Sequence, residues 1–136
     1  MNDIKVLIVE DQKQFVNPIV EVLRSNGFTG EVHWINPVKD NESYIPFEEI
    51  LNAIPEGGLV LLDHLFGRCK YTGEHIAVSC KQSILVSIST EERAYAKFNY
   101  TYKVDLFKNI DAHVEAILLH TINQALEEWN SSPKAL

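Results

Sequence analysis

Short apolar runs alternate along the chain with segments that have helical periodicity. Five of these runs are rich in β-branched and aliphatic residues and have the length of strands; they cover residues 5–9, 31–35, 59–62, 84–88 and 104–107. The runs VLIV and LVLL are apolar throughout, without an alternating polar face. This pattern is typical of parallel strands that helices cover on both sides. We therefore predict a parallel sheet between two layers of helices.

The segments between the runs have apolar residues at helical spacing. Phe15, Ile19 and Leu23 fall on one helical face, and so do Ile50 and Ile54 in the second segment. The third helix has room for about two turns, and a further helix is expected between the fourth and fifth strands. The last helix is predicted to begin near residue 111 and to end before residues 131–136. A polar stretch at 36–46, with a proline at either end, predicts a long loop.

Length and composition indicate one domain. The chain has 136 residues and a formal net charge of -7, so we predict a single domain at 1–130 and a frayed tail at 131–136. The acidic charge argues against direct binding of nucleic acid or of anionic membranes. Cys69 and Cys80 have no metal or redox spacing and are expected to be ordinary thiols. Without a signal peptide or an apolar run of about 18 residues, we expect a soluble, cytoplasmic protein.

Five strand–helix units in a chain of this length favour an open, doubly wound α/β sheet, in which ligands bind at the carboxyl ends of the strands. Polar side chains stand at four of those ends: Glu10, Asp11, Asp63, Ser87, Ser89 and Lys108. Crowded carboxylates repel one another, and a hard divalent cation such as Mg2+ relieves that repulsion. A metal site at this edge is therefore predicted.

The segments VLIVEDQ, LVLLD, ILVSIS and DLFKNI resemble the four signature blocks of bacterial response regulator receiver domains, in the same order and over nearly the whole chain. The resemblance implies a flavodoxin-like sheet with strand order 2-1-3-4-5. It also implies that Mg2+ is held by Glu10, Asp11, Asp63 and the backbone carbonyl of Leu65.

The resemblance assigns the remaining polar residues to phosphoryl transfer. Asp63 would accept a phosphoryl group from a histidine kinase or a phosphotransfer protein, and Lys108 would pair with that group. A hydroxyl of the fourth strand would contact the same group; spacing favours Ser87, and Ser89 is the alternative. No enzyme activity is expected beyond slow self-phosphorylation and dephosphorylation.

Several positions depart from the pattern of the family. Gly67 replaces the proline expected after the acceptor, and the loop glycine comes late, at Gly73. Ile88 follows the first candidate serine, Asn109 replaces a proline that usually has a cis bond, and Asp105 stands where many members have an aromatic ring. These departures favour an alternative, a pseudo-receiver that binds proteins without being phosphorylated.

The first hypothesis is a phosphorylation switch. Charge added at Asp63 would repack the face formed by the helix before strand five, strand five and the last helix, and so change the binding of a downstream protein. A phosphatase that uses an aspartyl phosphate is disfavoured, because Leu65 stands where the second aspartate would be needed. His64 is expected to face packing or solvent, away from the side of Asp63.

Overall fold

The computed structural model describes residues 3–40, 43–64, 66, 70–89, 101–106 and 110–132. Its strands are β1 (Val6–Val9), β2 (Val32–Ile35), β3 (Leu59–Leu62), β4 (Ile84–Ser89) and β5 (Lys103–Asp105). They form one sheet in the order β2-β1-β3-β4-β5, and every neighbouring pair is parallel. The predicted sheet and its strand order 2-1-3-4-5 are confirmed. β3 has the predicted bounds, and the other strands differ from theirs by a residue or two.

Four helices lie within the described ranges: α1 (Lys13–Ser25), α2 (Phe47–Ala53), α3 (Gly73–Ala77) and α4 (Ala112–Ser131). The third is short, as predicted, with five residues. The helix start predicted near residue 111 is confirmed, because the Asp111 side chain accepts a hydrogen bond from the Val114 N–H at 2.9 Å and caps α4. The helix predicted between β4 and β5 falls on residues 90–100, outside the described part of the chain. No helix in the described ranges has the length and apolar character to cross a membrane.

Two apolar cores lie on opposite faces of the sheet. The α1/α4 core is formed by α1, α4 and alternate strand residues, including Phe15, Ile19, Leu23, Leu118, Ile122, Ile8, Leu61 and Ile88. The α2/α3 core lies on the other face and includes Leu7, Val9, Val60, Leu62, Ile50 and Ile76. Consecutive residues of β3 thus enter different cores, as the alternation of side chains along a strand requires. Helices cover both faces, which explains the uninterrupted apolar runs.

The strand register brings the carboxyl ends of β1 and β3 to the same level. Val9 pairs with Leu62, and Leu62 pairs with Ser87 of β4. The ladder extends one residue further, because the Asp63 N–H donates to the Val9 carbonyl at 2.9 Å. Residues that follow β1 and β3 therefore meet at one edge of the sheet.

Candidate functional site

Three carboxylates converge at this edge. Glu10 and Asp11 follow β1, Asp63 follows β3, and one carboxylate oxygen from each lies within 4.8 Å of the others. Glu10 is only 1% exposed and Asp63 only 5%, whereas Asp11 is half-buried. The structure thus brings together the three acidic side chains that the sequence predicted as metal ligands.

Backbone groups satisfy only part of this cluster. The Gln12 N–H donates to Glu10 Oε1 at 3.0 Å, and the His64 N–H donates to Asp63 Oδ1 at 2.8 Å. Within the described residues, Glu10 Oε2 and Asp11 Oδ1 are buried without a hydrogen-bond partner. Buried oxygens of this kind are costly unless they are paired or coordinate a metal. A hard divalent cation that takes oxygen ligands fits this donor set.

Burial and mutual repulsion change the acidity of the cluster. Burial, together with the charge of Asp63, raises the pKa of Glu10 far above its usual value. Burial also raises the pKa of Asp63; the hydrogen bond from the His64 N–H opposes that rise, and the charge of Asp11 adds to it. Without a cation, the cluster therefore retains protons at pH values where isolated carboxyl groups have lost them. A divalent cation among these oxygens would favour the ionised forms.

Trp34 supports the cluster from the neighbouring edge strand. Its indole Nε1–H donates to the backbone carbonyl of Glu10 at 2.8 Å, so β2 fixes the chain where Glu10 follows β1. Trp34 is half-buried and packs against the α1/α4 core. Our sequence analysis missed this residue. The available signal was an aromatic residue with a donor next to the end of a predicted strand.

Gly73, the first residue of α3, lies against the backbone of Asp63 and His64. Its N–H donates to the His64 carbonyl at 2.7 Å, and a β-carbon at this position would collide with the Asp63 carbonyl oxygen. Only glycine allows the start of α3 to approach the backbone of Asp63 and His64 so closely. The late glycine noted in the sequence therefore has a steric reason.

The two candidate serines, Ser87 and Ser89, lie in β4. Both are buried, and Ser87 Oγ has no hydrogen-bond partner among the described residues. Val86 and Ile88 enter the α1/α4 core and Leu85 packs against the α2/α3 core, so alternation turns both serines toward the α2/α3 face. The role predicted for Ser87, or for Ser89 in its place, stays a prediction, and the register does not bring either beside Asp63.

Other predicted residues fall outside the described ranges. Leu65 and Lys108 are among them, and so are Gly67, Cys69 and Asn109, so their predicted roles stay predictions.

Two further side chains, His64 and Cys80, are buried outside the cluster. His64 is buried, and that burial lowers the pKa of its imidazole. Cys80 is also buried, and burial raises the pKa of its thiol to about 12, which makes it unreactive.

Comparison with known proteins gives similarity in structure alone. No family model matches the sequence, and no curated protein matches it either. Among solved structures, a response regulator receiver domain from Rhodospirillum rubrum is 15% identical with a TM-score of 0.64, and the match covers 90% of this chain and 94% of that one. The BeF3-activated DrrB receiver domain is 18% identical with a TM-score of 0.61, covering 93% and 99%.

A third similar structure is the Mn(2+)-bound form of response regulator Rcp1, at 16% identity and a TM-score of 0.53, with coverage of 98% of this chain and 99% of that one. Identities this low establish a shared architecture. The sheet order, the helices on both faces and these similarities lead to one conclusion: the chain has the fold of a response regulator receiver domain.

Proposed function

We propose that this chain is a phosphoacceptor switch of two-component signal transduction, and that Asp63 accepts the phosphoryl group. The observation that carries the proposal is the meeting of Glu10, Asp11 and Asp63 at the carboxyl edge of the sheet, with two buried oxygens unpaired in the described part of the chain. Buried carboxylate oxygens without partners lower the free energy of unfolding, and the net stability of a domain of this size is small. A function that needs the cluster explains why the cost is tolerated.

Mg2+ is the cofactor that we propose for the cluster. Oxygens of Glu10, Asp11 and Asp63 would hold it, with the predicted Leu65 carbonyl as a further ligand. When bound, the ion would neutralise the carboxylates and the oxygens of an incoming phosphoryl group. The His64 N–H fixes one oxygen of Asp63 and orients its carboxylate.

The phosphoryl group would come from a histidine kinase or a phosphotransfer protein. Lys108 would supply the cation that pairs with it, as the sequence resemblance implies. The output would be altered binding of a downstream protein to the predicted face of the helix before strand five, strand five and the last helix. The chain would act as a switch and would have no substrate of its own.

Incubation with acetyl phosphate and Mg2+, followed by intact mass measurement, tests the proposal. We expect a mass gain of one phosphoryl group in the wild-type protein and in Asp3→Asn, which changes an exposed aspartate away from the site. The gain should disappear in Asp63→Asn and on removal of Mg2+ with EDTA. If the wild-type protein gains no mass at any Mg2+ concentration, the proposal is wrong.

The second candidate function is a pseudo-receiver that binds its partner without phosphorylation. The observation in its favour is that Ile88, at the level of Asp63 in the sheet, offers no hydroxyl group to a phosphoryl group. In that case the unmodified protein would bind its partner equally well with Asp63 or asparagine at this position.

A further inference from the structure

Strand β4 places an apolar side chain next to the acceptor. Leu62 pairs with Ser87, so the following residues, Asp63 and Ile88, occupy the next level of the sheet. On its other side Ile88 pairs with Val104 of β5, another aliphatic residue. Asp63 therefore has Ile88 as its neighbour across the sheet.

The two side chains also project to the same face. Ile88 belongs to the α1/α4 core, and so does Leu61, two residues before Asp63. Because residues two apart along a strand share a face, the side chain of Asp63 leaves the sheet on the side of Ile88. The serines on either side of Ile88 project to the opposite face.

From this arrangement we infer that Ile88 limits the rate at which the site accepts and releases a phosphoryl group. The inference rests on the function proposed above and concerns the same site. Ile88 is 0% exposed and its side chain has no polar atom. It occupies the place from which a hydroxyl on β4 would donate to the phosphoryl oxygens, and Ser87 cannot replace it without leaving its own face.

The effect applies to both chemical steps. In acceptance from acetyl phosphate, a carboxylate oxygen of Asp63 bonds to phosphorus, the bond from phosphorus to the acetate oxygen breaks, and acetate leaves with the electron pair. In release, a water oxygen bonds to phosphorus, the Asp63 carboxylate leaves with the electron pair, and the proton of the water passes to solvent. Both steps place charge on the phosphoryl oxygens, which a donor stabilises and an aliphatic chain does not.

Comparison of Ile88→Thr with Ile88→Val tests the inference, because threonine and valine have nearly the same shape and differ by one hydroxyl. Both variants are incubated with acetyl phosphate and Mg2+, and intact mass is followed over time during phosphorylation and after removal of the donor. We expect the threonine variant to be phosphorylated about tenfold faster than the valine variant or more, and to lose the group faster. Circular dichroism confirms folding. Ile88→Ser and Ile88→Ala form a second pair if threonine disrupts the core.

Equal rates within both pairs would overturn the inference, and so would a tenfold loss of rate in Ser87→Ala, which would identify Ser87 as the donor. In either case phosphorylation of the wild-type protein would leave the proposed function intact. If the wild-type protein and every variant stay unphosphorylated, the proposed function fails and the inference fails with it. Phosphorylation of the threonine variant alone would support the inference and favour a pseudo-receiver as the natural state.

Discussion

Glu10 is buried beside two other carboxyl groups, and its protonation affects the stability of the fold. The pKa values of Glu10 and Asp63 are higher in the folded protein than in the unfolded chain. At pH values between the unfolded and the folded pKa of these groups, the folded protein therefore binds more protons than the unfolded chain. The stability that these groups contribute is fully present below their unfolded pKa of about 4 and is lost as the pH rises through the folded pKa.

We accordingly predict that the metal-free protein loses stability between pH 5 and pH 8, and that Glu10→Gln reduces this loss. Glutamine retains an oxygen for the Gln12 N–H and removes the charge. The variant should be more stable than the wild-type protein at pH 8 in EDTA by roughly 1 to 3 kcal/mol. Urea unfolding at the two pH values measures the difference. The same pH dependence in both proteins would contradict the prediction.

Gly73 has no room for a side chain. A β-carbon there meets the backbone of Asp63, so Gly73→Ala must displace either the backbone of Asp63 and His64 or the start of α3. We expect a loss of roughly 1 to 3 kcal/mol in stability and weaker Mg2+ binding, measured by urea unfolding and by calorimetric titration.

Gly57→Ala is the matched control for Gly73→Ala. Gly57 has a positive φ of 75° and open space around its Cα, so alanine strains the backbone there, at the opposite end of β3. We expect lower stability but unchanged Mg2+ affinity in this variant. Equal Mg2+ affinities in the two variants would show that Gly73 does not shape the site.

At the scale of elements, the sequence predicted β1 and β3 because each is a continuous apolar run, and β4 because its residues are mainly aliphatic. The same property hid the orientation of their side chains. A strand that is apolar on both faces has no alternation from which to read which residue enters which core, so Ser87 could not be assigned to a face. The burial of Val86 and Ile88 in the α1/α4 core and the pairing of Leu62 with Ser87 fix it. The contribution of Trp34 was hidden for a different reason: its partner, Glu10, lies 24 residues away in the chain.

Because Trp34 donates a hydrogen bond to the backbone of Glu10, its fluorescence can report on the acidic cluster. We predict that Mg2+ changes the fluorescence of Trp34, because the indole N–H bonds to the backbone of Glu10, a proposed metal ligand. The chain has two tryptophans, so the titration is made in Trp129→Phe, which leaves only Trp34. The matched control, Trp34→Phe, retains Trp129 on α4 and should give no response. A response confined to this control would contradict the prediction.

At the scale of the whole molecule, a cation that binds only the folded protein stabilises it by mass action. Each tenfold excess of free Mg2+ over its dissociation constant adds about 1.4 kcal/mol. We expect the melting temperature to rise by several degrees in millimolar Mg2+ and to stay constant in Asp11→Asn, which loses one of the proposed ligands. Sodium chloride at equal ionic strength is the control for screening. An equal rise in the variant would show that the ion acts elsewhere.

The position of the acidic cluster relative to the two cores has a consequence for the direction of signalling. Ile8 and Leu61 enter the α1/α4 core, so alternation turns the side chains of Glu10 and Asp63, two residues later, toward the same face. Under the proposed function, new charge on the side chain of Asp63 would act first on Ile88, Val104 and the packing of α4, whereas Gly73 of α3 lies against the backbone of Asp63. The sheet separates the side chain of Asp63 from the α2/α3 core. We therefore expect phosphorylation to change amide hydrogen exchange more in α4 than in α2.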